Sequence, residues 1–238
     1  MIKIDLSSKN ILVAGSSGAI GQELCKQFKV AGANVWSLSR HESEAVDHFC
    51  IDLSKQESVE SLKEQFQESK IKIDGVINCA GLLHDETNLP ERQLRDIKDD
   101  WLLRSMEVNL LSHIHLAQSV EGFMEDSKAF KWMSLSAMVG SIEDNGLGGW
   151  YSYRISKVGL NMFIKGLSIE WKRKNKELCV VAVHPGTTES KMSKIFKIKK
   201  DKLYSAELSA SRLLKIYGTL TNESNGQFLN WDGSQLAW

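Results

Sequence analysis

No stretch of this sequence is long and apolar enough to cross a bilayer: the longest apolar runs, ILVAG and VVAVHPG, fall far short of the roughly 20 residues a spanning helix needs. Net charge is missing too. Thirty Lys and Arg balance thirty Asp and Glu, so no global field draws the chain to nucleic acid or to an anionic membrane surface. Cysteine is sparse. Cys25, Cys50, Cys79 and Cys179 stand apart among apolar neighbours, without metal-ligand spacing and with no secretory signal ahead of them. They read as reduced core thiols of a cytoplasmic protein that holds no metal. Internal repeats, low-complexity segments and interdomain linkers are also lacking, so the 238 residues, 42% of them hydrophobic, are expected to form one α/β domain over 1–238.

What is present is a series of short apolar strands with chemistry at their exits. NILVA (10–14) is a continuous buried-strand run that ends in GSSGAIG, residues Gly15, Ser16, Ser17, Gly18, Ala19, Ile20 and Gly21, before a helix with Leu24, Phe28 and Val30. Strand, glycine turn and helix N-terminus together make a dinucleotide phosphate site: Gly15 for the tight turn, Gly18 for close backbone approach, Gly21 for helix packing. NVWSL (34–38) is the second strand, with Ser39 and Arg40 at its tip. In such a fold an acidic residue there favours a free ribose 2′-hydroxyl and a basic one a 2′-phosphate, so Arg40 points to NADP, with NAD as the other option. Glu42 works against that preference. HFCIDL (48–53) is a third strand that brings Asp52 and Leu53 to the same edge, and a polar helix is expected from Ser54 to about Ser69.

IDGVIN (73–78) runs into Asn78, Cys79, Ala80 and Gly81, small residues that leave room for a ligand against backbone. After a charged excursion from His84 to Lys98, one helix is expected from Trp101 to about Glu125, with Asn109 in its middle. His113 and His115 are two apart and cannot share a helix face as metal ligands would. FKWMSL (130–135) is the fifth strand and delivers Ser136 at its end. A glycine-rich loop leads to WYSYRISKVGLNMFIKGLSIEW (150–171), an amphipathic helix on which Tyr153 and Lys157 leave one face a turn apart. An ammonium beside a phenol favours the phenolate, so Lys157 together with a positively charged cofactor ring is expected to lower the Tyr153 pKa from about 10 towards neutrality. The sixth strand, 178–183, exits through His184, Pro185 and Gly186 to Thr187, Thr188 and Ser190. KMSKIFKIKKDK (191–202) reads as a basic amphipathic flap that orders over bound cofactor, and a last helix (204–217) and strand (227–230) follow.

GSSGAIG, NCAG at 78–81, the helical Asn109, Ser136, YRISK at 153–157 and HPG at 184–186 occur in one order. Through them the chain resembles the short-chain dehydrogenase/reductase family over essentially its whole length, and its C-factor and carbonyl-reductase-like subgroup in GGWYSYRISK, AVHPG and WDG…LAW. The resemblance implies a Rossmann-type three-layer doubly wound fold with a mostly parallel, seven-stranded sheet. It also implies hydride transfer between NADP(H) and a small carbonyl or alcohol substrate. In that scheme Tyr153 is the proton donor, Lys157 lowers its pKa and holds the nicotinamide ribose, Ser136 bonds the substrate oxygen, and Asn109 positions a water. Two departures stand out. The glycines are spaced Gly-x-x-Gly-x-x-Gly, where many members have Gly-x-x-x-Gly-x-Gly; and Ser136 lies seventeen positions before Tyr153, so that Ser141, twelve before it, is a rival. A dinucleotide-binding regulator with little turnover is the alternative. The long amphipathic helix also offers a face for a homo-oligomer, as in many relatives.

Overall fold

A computed structural model describes residues 4–45, 47–124 and 129–238. The elements follow in the order β1 (Asn10–Ala14), α1 (Ala19–Val30), β2 (Asn34–Ser39), β3 (His48–Cys50), α2 (Ser58–Glu68), β4 (Gly75–Asn78), α3 (Asp99–Met106) and α4 (Ser112–Val120). Then come β5 (Lys131–Leu135), α5 (Tyr151–Lys174), β6 (Cys179–Val183), α6 (Ala206–Thr219) and β7 (Phe228–Leu229). The seven strands form one sheet in the order β3-β2-β1-β4-β5-β6-β7. Every pairing between them is parallel. Strand order reverses between β1 and β4, and the crevice at the carboxyl ends of strands beside such a reversal is where this architecture binds ligands.

Strand side chains alternate between two apolar layers. Leu12, Val76, Trp132 and Val180 pack on Leu62 and Phe66 of α2, Leu116 and Val120 of α4, and Leu160, Ile164 and Trp171 of α5. Ile11, Val13, Ile77, Met133 and Val181 pack on Leu24 and Phe28 of α1 and on Leu213 and Tyr217 of α6. The three-layer reading therefore holds.

Several boundaries differ from expectation. β3 stops at Cys50 rather than Leu53: it is an edge strand, and its only neighbour among the described residues, β2, ends at Ser39. Asp52 then turns the chain, its carboxylate accepting from Ser54 N at 3.0 Å and its carbonyl from Lys55 N at 3.1 Å, which delays α2 to Ser58. The helix expected over 101–125 is interrupted: Glu107–Leu111 forms a π turn between α3 and α4, and its expected end at Glu125 lies outside the described residues. On α5 the buried stripe is Leu160, Ile164, Leu167 and Trp171, whereas Ile155, Met162 and Ile169, counted above with the apolar face, are 44%, 72% and 51% exposed.

Gly21 sets the pitch of α1 against the turn before it. A Cβ at Gly21 would lie 2.3 Å from the Gly15 carbonyl oxygen, with no flexible side chain to give way. Gly21→Ala is expected to cost about 1–3 kcal/mol, a Tm fall of about 2–12 °C in a chain of this size. Gly146→Ala, where a Cβ would meet nothing within 4 Å, should leave Tm unchanged. Thermal melts of the two variants check this.

Candidate active site

The β1–α1 turn is shaped by backbone crowding. Gly15 has φ +71°, and a Cβ there would stand 2.8 Å from Ala80 N and from the Cys79 carbonyl carbon, so the turn presses directly on the exit of β4. Gly18 caps α1 in ordinary extended backbone, with Ala19 and Ile20 opening the helix and Ser17 exposed beside it. Ser16 does not keep its hydroxyl for a phosphate: it donates to Leu38 O at 3.0 Å and ties the turn to β2. Ser39 is likewise engaged, donating to His41 O at 2.9 Å and accepting from His41 N at 3.2 Å. Arg40 is exposed at the strand tip. A cleft of about 350 Å³ opens next to it between Ser17, Ser39, His41 and Glu42 and, from α1, Lys26 and Lys29. The sequence reading had not singled out those two lysines; Lys26 is also paired with Glu23 at 2.5 Å.

Asp52 and Leu53 lie at the same edge. Burial works to raise the Asp52 carboxyl, but the Ser54 N–H, Arg104 and Arg40 outweigh it and hold the group below its usual range. The Leu53 carbonyl pairs with His115 Nδ1 at 2.8 Å, which accounts for that histidine. At the β4 exit, fully buried Asn78 accepts from Ala80 N at 2.9 Å, while its Nδ2 has no partner among the described residues. His113 bridges Ser134 Oγ (2.9 Å) and Ala80 O (3.3 Å), and burial together with Lys157 pulls it down to about 3, a neutral structural ring.

Around Gly81 two of the expected catalytic residues, Asn109 and Lys157, meet. A Cβ on Gly81 would lie 3.6 Å from Asn109 Oδ1, 3.7 Å from Lys157 Nζ and 3.9 Å from Met192 Cε. Asn109, on the π turn, accepts from Leu82 N at 2.6 Å and donates to Leu82 O at 2.8 Å and to Ser156 Oγ at 2.9 Å. Both of its amide N–H groups are therefore used by protein. Lys157, 2% exposed, donates to Leu135 O at 2.9 Å and stands 5.9 Å from the centre of the Tyr153 ring. Burial pulls its ammonium down to about 7, partly opposed by Cys79. The Tyr153 phenol is pushed up, not down, because burial is the force acting on it. Burial outweighs any lowering of the phenol by Lys157 in the absence of a cationic ring, and the ammonium donates to the Leu135 carbonyl.

Ser136 and Ser141 are both buried. Ser136 donates to Asn161 Oδ1 at 2.6 Å, a residue eight positions beyond Tyr153 on α5, and Ser141 donates to Trp238 O at 3.2 Å. Neither hydroxyl is free. After β6, Gly186 has φ +79°, and a Cβ there would touch Tyr204 and Trp231, each at 3.2 Å. The Arg212 guanidinium lies 4.0 Å from the centre of each of these two rings. Thr188 shares a 2.7 Å bond with Ser209, and Thr187 is left exposed next to Pro185 and Gly186.

A family description fits these features. The short chain dehydrogenase model matches residues 9–201. The chain belongs to that family. Among curated proteins it is similar to the 1-hydroxy-2-glutathionyl-2-methyl-3-butene dehydrogenase of Rhodococcus sp. (strain AD45), 28% identical over 234 residues, covering 96% of this chain and 99% of that protein. Among solved structures, carbonyl reductase Sniffer of D. melanogaster superposes with a TM-score of 0.84 at 21% identity, over 97% of this chain and 100% of the other. The NADPH-bound carbonyl reductase from chicken fatty liver superposes with a TM-score of 0.82 at 20% identity, over 98% and 100%. At those identities the structures show a shared fold.

The flap at 191–202 has the amphipathic character expected of it. Its six lysines are exposed while Met192, Phe196 and Ile198 are partly buried, though Ile195 is exposed. Phe196 lies 5.2 Å from Trp150 and 6.2 Å from His84, whose Nε2 pairs with Met192 O at 3.0 Å. No spacing rule picks out His84, Trp150 or Phe196; they are brought together by a loop and a flap distant in sequence. Among the described residues there is no cluster of His, Cys, Asp and Glu able to hold a metal, and no helix long and apolar enough to cross a membrane.

The depressed Lys157 gives a signed prediction. Unfolded, this lysine titrates near 10.5; folded, at about 7. Between those values the unfolded chain binds the extra proton, so stability rises with pH. The Tm of the parent minus that of Lys157→Met should therefore grow by several degrees between pH 7 and pH 9.5 without ligand; a constant difference shows that the lysine is not depressed.

Proposed function

We propose that this chain is an NADP(H)-dependent oxidoreductase, acting on a small carbonyl or alcohol, with Tyr153 as acid and base. The observation that carries the reading is the meeting of Lys157 and Asn109 at Gly81, next to the Gly15 turn, with the Tyr153 ring 5.9 Å from the Lys157 ammonium. The residues suit a nicotinamide dinucleotide. Gly15, Gly21 and Gly81 leave backbone surface where a Cβ would intrude, and Asn78 keeps a buried donor unspent. When bound, that cofactor supplies or receives the hydride. The chain's part is binding, orientation and proton traffic: the β1–α1 turn would hold the diphosphate, Gly186 and Thr187 would border the nicotinamide, and Lys157 would turn from Leu135 O to the ribose. Asn109 holds Leu82 and so positions the strand exit. Tyr153 passes its proton to the nascent alkoxide. Arg40, Lys26 and Lys29 favour the 2′-phosphate of NADP over NAD, against Glu42. The relative named 1-hydroxy-2-glutathionyl-2-methyl-3-butene dehydrogenase supports an alcohol or its carbonyl as the substrate class. The same reading makes 1–238 one cytoplasmic domain, able to self-associate through Ile155, Met162 and Ile169, which recur every seven residues along α5.

A dinucleotide-binding regulator is the second reading. It is favoured by the Ser136 proton being committed to Asn161 and by the raised Tyr153 phenol. Tyr153→Phe separates the two: it should lower kcat in an NADPH-linked carbonyl panel by about 10²-fold or more while leaving NADPH affinity within twofold. A parent that binds NADPH and reduces nothing in the panel supports the regulator.

Ser136 is the proposed donor to the substrate oxygen, which requires exchange of its bond to Asn161. Ser136→Ala should then lower kcat by about 10²- to 10³-fold, with Ser141→Ala far milder. The opposite ranking moves the role to Ser141, and two small effects leave Tyr153 as the one side-chain donor to that oxygen.

A further inference from the structure

The proposed proton donor sits where a helix is least secure. α5 starts at Tyr151, so Tyr153 lies in its first turn, whose backbone N–H groups have no partner inside the helix. The residue in the capping position is Trp150, which has no side-chain acceptor to offer them. Its backbone is left-handed, φ 50° and ψ 42°, and it follows Gly148 and Gly149 at φ 64° and 66°. Such a conformation is costly for a bulky residue and persists only where its surroundings impose it.

Glu91 imposes it. This residue is 3% exposed, and it lies in the charged excursion between β4 and α3. Its carbonyl accepts from Trp150 N at 2.6 Å and would stand 3.2 Å from any Cβ at Gly149. Its carboxylate accepts from Ser152 N at 3.3 Å through either oxygen and also from the Ser152 hydroxyl. Among the described residues no lysine, arginine or histidine forms an ion pair with it. The charge is met instead by these donors and by the positive end of a 24-residue helix. The held turn lays the Trp150 ring 6.4 Å from Tyr153 and 5.2 Å from Phe196 of the flap.

We propose that Glu91 is a positioning residue: it caps the first turn of α5 from a distant loop, and so fixes both Tyr153 and the Trp150 ring beside it. This rests on the reading of Tyr153 as the proton donor. Hydrogen exchange of the full-length protein tests the cap without calling on turnover. Glu91→Ala should speed amide exchange in residues 149–155 by about 2- to 30-fold, as loss of a cap does, with β5 and the second half of α5 unchanged. Glu91→Gln, which keeps an acceptor, should restore most of the protection. Unchanged exchange at 149–155 in Glu91→Ala overturns the proposal. If Glu91→Ala loses protection everywhere, Glu91→Asp carries the test by withdrawing the carboxylate one methylene: faster local exchange supports the cap, none overturns it. Kinetics with NADPH and benzil add the functional arm: kcat at least tenfold lower in Glu91→Ala, NADPH affinity within twofold, and partial recovery in Glu91→Gln. A fall in Tm with kcat and KM unchanged makes Glu91 merely structural and overturns the role. A parent inactive on every carbonyl tried counts against the proposed reaction, while the exchange result still decides the cap.

Discussion

The Lys157–Leu135 hydrogen bond is the contact on which the site's arrangement turns. A lysine this deeply buried is expensive unless its ammonium meets an acceptor, and the acceptor is the last carbonyl of β5. That bond fixes α5 along the strand, and Asn161 extends the fixation one turn on, to Ser136 and to Gly140 O at 3.0 Å. Gly140 has no side chain because a Cβ would lie 3.0 Å from Lys157 Cβ and 3.1 Å from Asn161 Nδ2. Helix, strand and following loop are thereby set against one another before any ligand is involved.

The same burial governs the electrostatics. Removing water from this corner pulls Lys157 down and pushes Tyr153 up, so each group leans towards its neutral form. The proton chemistry read into the pair therefore calls for further charge: a cationic ring and a ribose offering new hydrogen bonds alter the balance that burial alone has struck. Much of the polar inventory nearby is spent on structure, as with His113, Ser16, Ser39 and Asn109. What remains unspent is narrower than the motif list suggests.

The sheet was legible because buried parallel strands announce themselves as apolar runs. β1 spans the run read for it, and β2, β4, β5 and β6 fall within a residue or two of theirs. The glycine turn was legible for a related reason, since Gly15 and Gly21 are positions where backbone meets backbone. The sequence pattern misled where a local period hides a non-local event. Apolar spacing over 101–125 reads as one helix, yet Asn109 must reach Leu82, and the chain accommodates this with a π turn. Glu91 was invisible because it looks like one more charge in a charged segment; only the fold carries it to Ser152. The bond from Ser136 to Asn161 was hidden for the same reason, as a strand end and a helix turn twenty-five positions apart share no pattern.

The π turn makes the chain between α3 and α4 one residue too long for an unbroken α ladder. Winding all of Glu107–Leu111 into a regular α ladder, with none deleted, would rotate α3 by about 100° against α4. Trp101 and Ser105, the buried residues of α3, would then swing out of their buried places while Leu116 and Val120 of α4 stay in the core. The segment thus stores a choice of frame. The helix that is better formed by itself is the one that misaligns Asn109, so local regularity and the geometry of the cleft pull in opposite directions.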